Sequence, residues 1–228
     1  MSMTIAAEWW VELAKDYLDA WTQAFPSPGG MASEPSHRWG IELAMSVAQH
    51  ETQNSMAWPG SWNFGAVQLR GLTAEEHAAF NAGTLKAGDF LPDHSGVLHV
   101  DTHPPGVPYP VWFFAAPTRV LGIVHFLQTL YRLTGGEFTS DAATAASTAL
   151  AMYIRHYYEG RHVDDRPWQA ARKVPLSAPE QANVDEYAGA IQKCLDVIVP
   201  MLTGWDYGLD PAAGVTSDVP QSRTAASA

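Results

Sequence analysis

The stretch from Trp39 to Gln68, WGIELAMSVAQHETQNSMAWPGSWNFGAVQ, places the tightest limits on how this chain can fold. An apolar helix here must run out into a polar, aromatic-rich loop with one carboxylate, Glu51, at the junction. With residues 36–53 helical, Gly40, Leu43, Ala44, Val47, Ala48 and Glu51 recur at spacings of three and four, so the acid shares the stripe that faces the core. Burial against apolar neighbours raises a carboxylate pKa, commonly by about one unit or more, which is how a Glu is kept protonated near neutral pH as a general acid. The plainer reading is an ordinary helix-end carboxylate. It leaves the downstream cluster of indoles and amides without a reason.

Composition removes several classes of function. With 228 residues, of which 46% are hydrophobic, the chain can bury a full core, and the simplest division is one domain over residues 1–205 with a tail over 206–228. The tail, rich in Ala, Ser, Pro and Asp and poor in large apolar groups, is expected to be disordered. A formal charge of −11 argues against a nucleic-acid partner and against a basic membrane-binding patch. Any anionic polymer must then be held by stacking and hydrogen bonds, for which nine Trp and eight Tyr are available. Cys194 is the single cysteine, which excludes an intramolecular disulfide and a cysteine-based zinc motif. The first 21 residues carry Glu8, Glu12, Lys15, Asp16 and Asp19 and no basic leader, so neither a Sec signal nor membrane insertion is expected, and the chain should be made as a soluble cytoplasmic protein.

Along the chain, residues 6–25 form an amphipathic pattern through Trp9, Trp10, Leu13, Tyr17, Ala20, Trp21 and Ala24. A loop rich in Pro, Gly and Ser follows, and Ser36 is positioned to cap the Glu51 helix. WNFGAVQL has the character of a short strand. Thr73 to Glu76 resembles a capping box that opens a short helix, followed by surface loop to about residue 95. Two β-rich runs around a Pro and Gly turn in VLHVDTHPPGVPYPVWFF predict a hairpin that completes a small sheet with residues 64–69. Residues 117–133 should be helical and stop at Gly135-Gly136, with Ser140 capping the next helix, which ends at YYEG. The last helix points Tyr187, Ile191, Leu195, Ile198 and Leu202 inward.

The order of helix, Glu at its C-terminal end, polar loop and N-F-G before a strand resembles the lysozyme-like superfamily, in its bacterial and phage glucosaminidase or lytic transglycosylase branch. Ala48, Glu51 and Thr52 match the A-x-x-E-(T/S) helix end, and Asn63, Phe64 and Gly65 the segment that follows. Asp101, Pro104, Gly106, Tyr109, Val111 and Phe113 loosely follow the branch's hairpin pattern, and Phe114 departs from it where a polar residue is usual. The tyrosines of YYEG are similar to the helix end that faces the catalytic Glu. The resemblance spans roughly residues 36–200. It implies an α+β, mainly α-helical lysozyme-like fold with a small antiparallel sheet as one wall of a cleft. The implied activity is cleavage of β-1,4 links between amino sugars in peptidoglycan glycan strands, by hydrolysis or transglycosylation, with no cofactor. Delivery to the cell wall or periplasm would then run through a phage or secretion-system route.

Such chemistry needs a proton for the leaving oxygen and stabilisation of an oxocarbenium-like centre, by a second carboxylate or by the substrate's own acetamido group. Glu51 is the candidate acid. Asp101, on the hairpin, is the first choice for a second carboxylate, and Asp93 an alternative. Trp58, Trp62, Phe64, Tyr109, Tyr157 and Tyr158 are candidates for contact with sugar, although aromatic residues more often serve the core. Asn63 and Gln68 have the groups to read an acetamido substituent, or equally to satisfy backbone in their loop. Two other classes compete. One is a non-catalytic lysozyme-fold module that binds glycan or builds a particle. The other is a metal-dependent hydrolase, because His99, Asp101 and His103 alternate on a strand and offer a ligand set that zinc accepts.

Overall fold

The computed structural model describes residues 7–26, 34–54, 62–91, 96–101, 109–140, 142–155, 157 and 166–205. Among these the chain is mostly helical with one small antiparallel sheet. Seven helices run in the order α1 (Ala7–Ala24), α2 (Glu34–Thr52), α3 (Ala74–Asn81), α4 (Arg119–Leu133), α5 (Ala145–Ile154), α6 (Trp168–Ala171) and α7 (Ala178–Met201). Four strands, β1 (Gln68–Gly71), β2 (Phe90–Leu91), β3 (Gly96–Asp101) and β4 (Tyr109–Phe114), form a sheet of order β1-β4-β3-β2.

Helix α2 is the centre of the core. Every residue from Gly40 to Ala48 is buried, because Ile41, Leu43, Ala44, Met45, Val47 and Ala48 make the helix apolar on all sides. Each of the larger side chains contributes roughly 1.5–3 kcal/mol by leaving water. The two polar residues inside this run are satisfied locally. Glu42 accepts from Arg38 Nε at 2.9 Å, and the Ser46 hydroxyl donates to the Glu42 carbonyl at 2.8 Å. Helices α1 and α7 and a 3-10 turn at Glu137–Thr139 pack around α2. The stripe expected on α1 is in place, with Trp10, Leu13, Tyr17, Ala20 and Trp21 buried. On α7, Ile191, Leu195 and Ile198 are buried and Leu202 follows at its end.

The hairpin forms as the Pro and Gly turn predicts. Strands β3 and β4 pair in register from Gly96↔Phe114 to Asp101↔Tyr109, and β1 joins the other side of β4 with Gln68 opposite Phe113. Thr73 and Glu76 make the reciprocal capping box that opens α3. Gly135 and Gly136 end α4 in the left-handed region, at φ 56° and 89°.

Three local expectations are corrected. Residues 62–67 form a turn rather than the start of the strand, because Trp62 and Ala66 have left-handed φ, and pairing begins only at Gln68. Helix α2 begins at Glu34, so Ser36 lies inside its first turns and does not cap it. Ser140 instead closes the 3-10 turn, donating to the Glu137 carbonyl at 2.7 Å, and Thr144 caps α5 through a box with Ser147. The division at residue 205 and the tail beyond it lie outside the described residues.

Candidate active site

Glu51 occupies the last turn of α2, where the helix passes from the core to the loop. Its carboxyl is largely enclosed, and burial pushes its pKa up to about 8. Removal from water disfavours the charged carboxylate and so favours the proton-bearing form. The neighbouring His50 packs its ring edge-on against Tyr187 of α7, with centroids 4.7 Å apart, and burial lowers its pKa.

Tyr157, 106 positions further along the chain, is brought into electrostatic reach of Glu51. Its hydroxyl is raised well above the ordinary tyrosine range, first by burial and then by the Glu51 charge. The backbone N–H of Tyr157 donates to the Met152 carbonyl at 2.9 Å, which folds it back from the end of α5. The hydroxyl donates to the Gly65 carbonyl in a short hydrogen bond. The Thr52 hydroxyl, adjacent to Glu51, donates to the preceding carbonyl, Phe64 O, at 2.9 Å. Two hydroxyls therefore grip consecutive carbonyls of one turn, and Glu51 belongs to the helix end between them.

That turn is built for close approach. A Cβ at position 65 would overlap the Tyr157 hydroxyl and come within 2.6 Å of the Phe126 ring. Asn63 closes the turn from inside: its Oδ1 accepts from Val67 N–H at 2.9 Å and its Nδ2 donates to Val67 O at 3.3 Å. Gln53, Asn54, Trp62 and Ala66 all have φ between 46° and 53°, and they are the non-glycine residues with positive φ among those described. This left-handed backbone, which costs most L-residues about 1 kcal/mol, falls directly after Glu51 at Gln53 and Asn54 and again in the turn at Trp62 and Ala66.

The structure treats the sequence candidates unequally. Glu51 and Tyr157 come together with Gly65. Asn63 is 1% exposed and its carboxamide is committed to Val67, so it closes the loop and does not face a ligand. Phe64, also 1% exposed, packs edge-on against Tyr17 with centroids 5.9 Å apart; it is a core residue, because its backbone forms the turn while its ring fills the space under α1. Trp62 is half-buried at the rim of the turn. Tyr109 is exposed and pairs across the hairpin with Asp101. Both stand at the far end of β3 and β4 from Phe114, whose N–H bonds to Val67 O. The five residue steps from Tyr109 to Phe114 span roughly 17 Å of strand, so the hairpin does not bring Asp101 to the Val67 end of the turn. Gln68 begins β1, and the side chains of Gln68 and Asp101 lie outside the described residues, as do Trp58, Asp93, His103 and Tyr158 in full.

Phe114, which departs from the hairpin pattern, stacks on His125 of α4, with centroids 3.7 Å apart and an interplanar angle of 11°. The exposed His99 packs edge-on against Phe113 at 5.4 Å. Among the described residues no three His, Cys, Asp or Glu side chains converge on a metal position, and no helix is long and apolar enough to cross a membrane. Gly122 of α4, where a Cβ would overlap the Trp62 carbonyl oxygen, brings the helix against the backbone of the turn and escaped the sequence reading. A glycine inside an apolar helix costs about 1 kcal/mol against alanine and hints at a close approach by another backbone, and this was the available signal.

No protein-family model, curated protein or solved structure matches the chain.

Proposed function

We propose that the protein cleaves β-1,4 glycosidic links between amino sugars, with peptidoglycan glycan strands as substrate and Glu51 as proton donor. The observation that carries this reading is the enclosed Glu51 carboxyl at the end of the buried helix α2, where burial pushes its pKa up to about 8. The lysozyme-like assignment rests on the Glu51 helix end, the Asn63-Phe64-Gly65 turn after it and the antiparallel hairpin, in that order along the chain.

In this reading Glu51 delivers its proton to the leaving oxygen as the bond to the anomeric carbon breaks. The electron pair of that bond goes to the oxygen, and positive charge develops on the sugar ring. The positive charge is then stabilised by the substrate's own acetamido oxygen or by a second carboxylate. Hydrolysis then ends with attack by water, and transglycosylation with attack by the sugar's own 6-hydroxyl. In this reading Trp62, half-buried at the rim of the turn, stacks on a sugar ring. Arrival at the cell wall belongs to the same proposal, through a phage or secretion-system route.

Mass spectrometry of purified peptidoglycan after digestion tests the reading. New reducing ends identify a hydrolase and 1,6-anhydro ends a transglycosylase. Intact glycan that nevertheless retains the protein in a pull-down identifies a binding module, and the enzyme assignment is then abandoned. Cleavage lost with EDTA and restored by zinc transfers the chemistry to the His99, Asp101 and His103 strand.

A further inference from the structure

One face of the sheet holds a line of three exposed rings, Phe90, His99 and Tyr109. Phe90 of β2 lies opposite Val97, Tyr109 of β4 lies opposite Asp101, and His99 stands midway between Val97 and Asp101 on β3. Residues directly opposite in an antiparallel pair share a face, as do alternate residues of one strand, so the three rings project from the same side. Each step along the row moves one strand across and two residues on. That gives an even diagonal with roughly 8 Å between neighbours and about 16 Å from end to end.

The rings stand out from a packed layer. Phe90 is 52% exposed and Tyr109 37%, whereas Val111 and Phe113 of the same face are buried beneath the row. The His99 ring meets Phe113 edge-on with centroids 5.4 Å apart, which braces the imidazole at the centre of the line. Exposed apolar side chains scattered singly are ordinary, but three rings aligned on a hydrogen-bonded sheet make a preformed track. Phe90 offers a flat apolar face, and His99 and Tyr109 add a ring nitrogen and a hydroxyl at their edges. A pyranose matches that combination, because its C–H face lies against a ring while its hydroxyl and acetamido groups reach the polar edges. The row contains no lysine or arginine, and the chain's formal charge is −11, so a phosphate backbone or an acidic lipid surface is a poor fit.

We propose that Phe90, His99 and Tyr109 form a second glycan-binding surface, away from the Glu51 site, on which a run of β-1,4-linked amino sugars lies diagonally across the sheet and is held by stacking. The inference rests on the reading of peptidoglycan glycan as substrate and adds a place that holds the polymer without cleaving it. Phe90 is on β2, at the opposite edge of the sheet from β1, into which the turn of residues 62–67 leads. Tyr109 is at the far end of β4 from Phe114, whose N–H meets that turn at Val67 O. A sugar on either end of the row therefore leaves the turn open, and only a long strand engages both places.

The test is co-sedimentation of the full chain with insoluble peptidoglycan and with chitin, in the Glu51→Gln background so that no glycan is cut during the assay. Phe90→Ala, His99→Ala and Tyr109→Ala, each confirmed as folded by its melting curve, should weaken retention on both materials by roughly 3- to 10-fold, the scale of one aromatic contact, and the triple variant should be weaker still. With Glu51 intact, Phe90→Ala should slow cleavage of peptidoglycan at low substrate concentration and leave cleavage of a short soluble chitooligosaccharide unchanged. Retention at the wild-type level in all three single variants would overturn the proposal. So would retention on peptidoglycan but not on chitin, which assigns the binding to peptide stems. A dimer that Phe90→Ala dissociates while glycan retention stays constant would make the row an interface between two copies and overturn it as well. If no form cleaves any glycan, the catalytic reading falls while retention still decides this inference.

Discussion

Three enclosed side chains show how single residues set this protein's response to pH and mutation. Glu51 keeps its proton to about pH 8 in the folded chain but loses it near 4.5 when unfolded. Unfolding therefore releases a proton between these values, and stability falls as pH rises from 4.5 to 8. Glu51→Gln removes that dependence. Its melting temperature should match the wild type near pH 4 and exceed it increasingly toward pH 8; parallel curves across the range would mean that the carboxyl is not held protonated. Tyr17 presents the second case, because its hydroxyl is fully buried and has no hydrogen-bond partner among the described residues. Tyr17→Phe keeps the ring contact to Phe64 and removes an unsatisfied group, so urea unfolding should show a gain of about 1 kcal/mol. A loss of similar size would reveal a partner for that hydroxyl. His125 shows the opposite ionisation to Glu51. Burial, and then the Arg132 charge, lower its pKa to about 4, so its contribution is present above 6.5 and is lost as pH falls toward 4.

At the scale of elements, the contact between α1 and α2 rests on one small residue. A Cβ on Gly40 would come within 2.7 Å of the Trp21 ring, which is itself fixed between Phe25 and Phe138. Gly40→Ala should therefore destabilise by about 1–3 kcal/mol despite its better helix propensity, and a denaturant titration with unchanged slope would measure it. What the sequence revealed of these elements follows the range of the forces involved. The capping box at Thr73 and Glu76 was legible because it is made within four residues. The stop at Gly135 and Gly136 was legible because left-handed backbone favours glycine. Ser140 misled because both it and Thr144 suit a cap, and in the fold Ser140 ends the 3-10 turn of residues 137–139, in which Phe138 is buried, leaving Thr144 to cap the helix. Residues 62–67 resembled a strand by composition, yet they form a turn closed by the Asn63 to Val67 bonds, with the Trp62 backbone lying against Gly122 of α4. The second of those contacts is 60 positions away. No local pattern could report it.

Across the whole molecule, the site follows from burying α2 on all sides. A helix enclosed over nine residues, Gly40 to Ala48, must emerge somewhere, and Glu51 lies where it does. The sequence located that acid from periodicity alone, and it located Tyr157 by resemblance, while the grip of Thr52 and Tyr157 on consecutive carbonyls became visible only when distant segments met. Asp101 was chosen because it lies on the hairpin, but the register puts it at the end away from Val67. In consequence Asp101→Asn should reduce turnover far less than Tyr157→Phe does. The central claim is that the Glu51 proton drives glycosidic cleavage. Initial rates on purified peptidoglycan at pH 6, for wild type and Glu51→Gln at equal folded concentration, test it most directly. The account predicts a loss of roughly 10²- to 10⁴-fold, the usual contribution of a general acid; equal rates would contradict it.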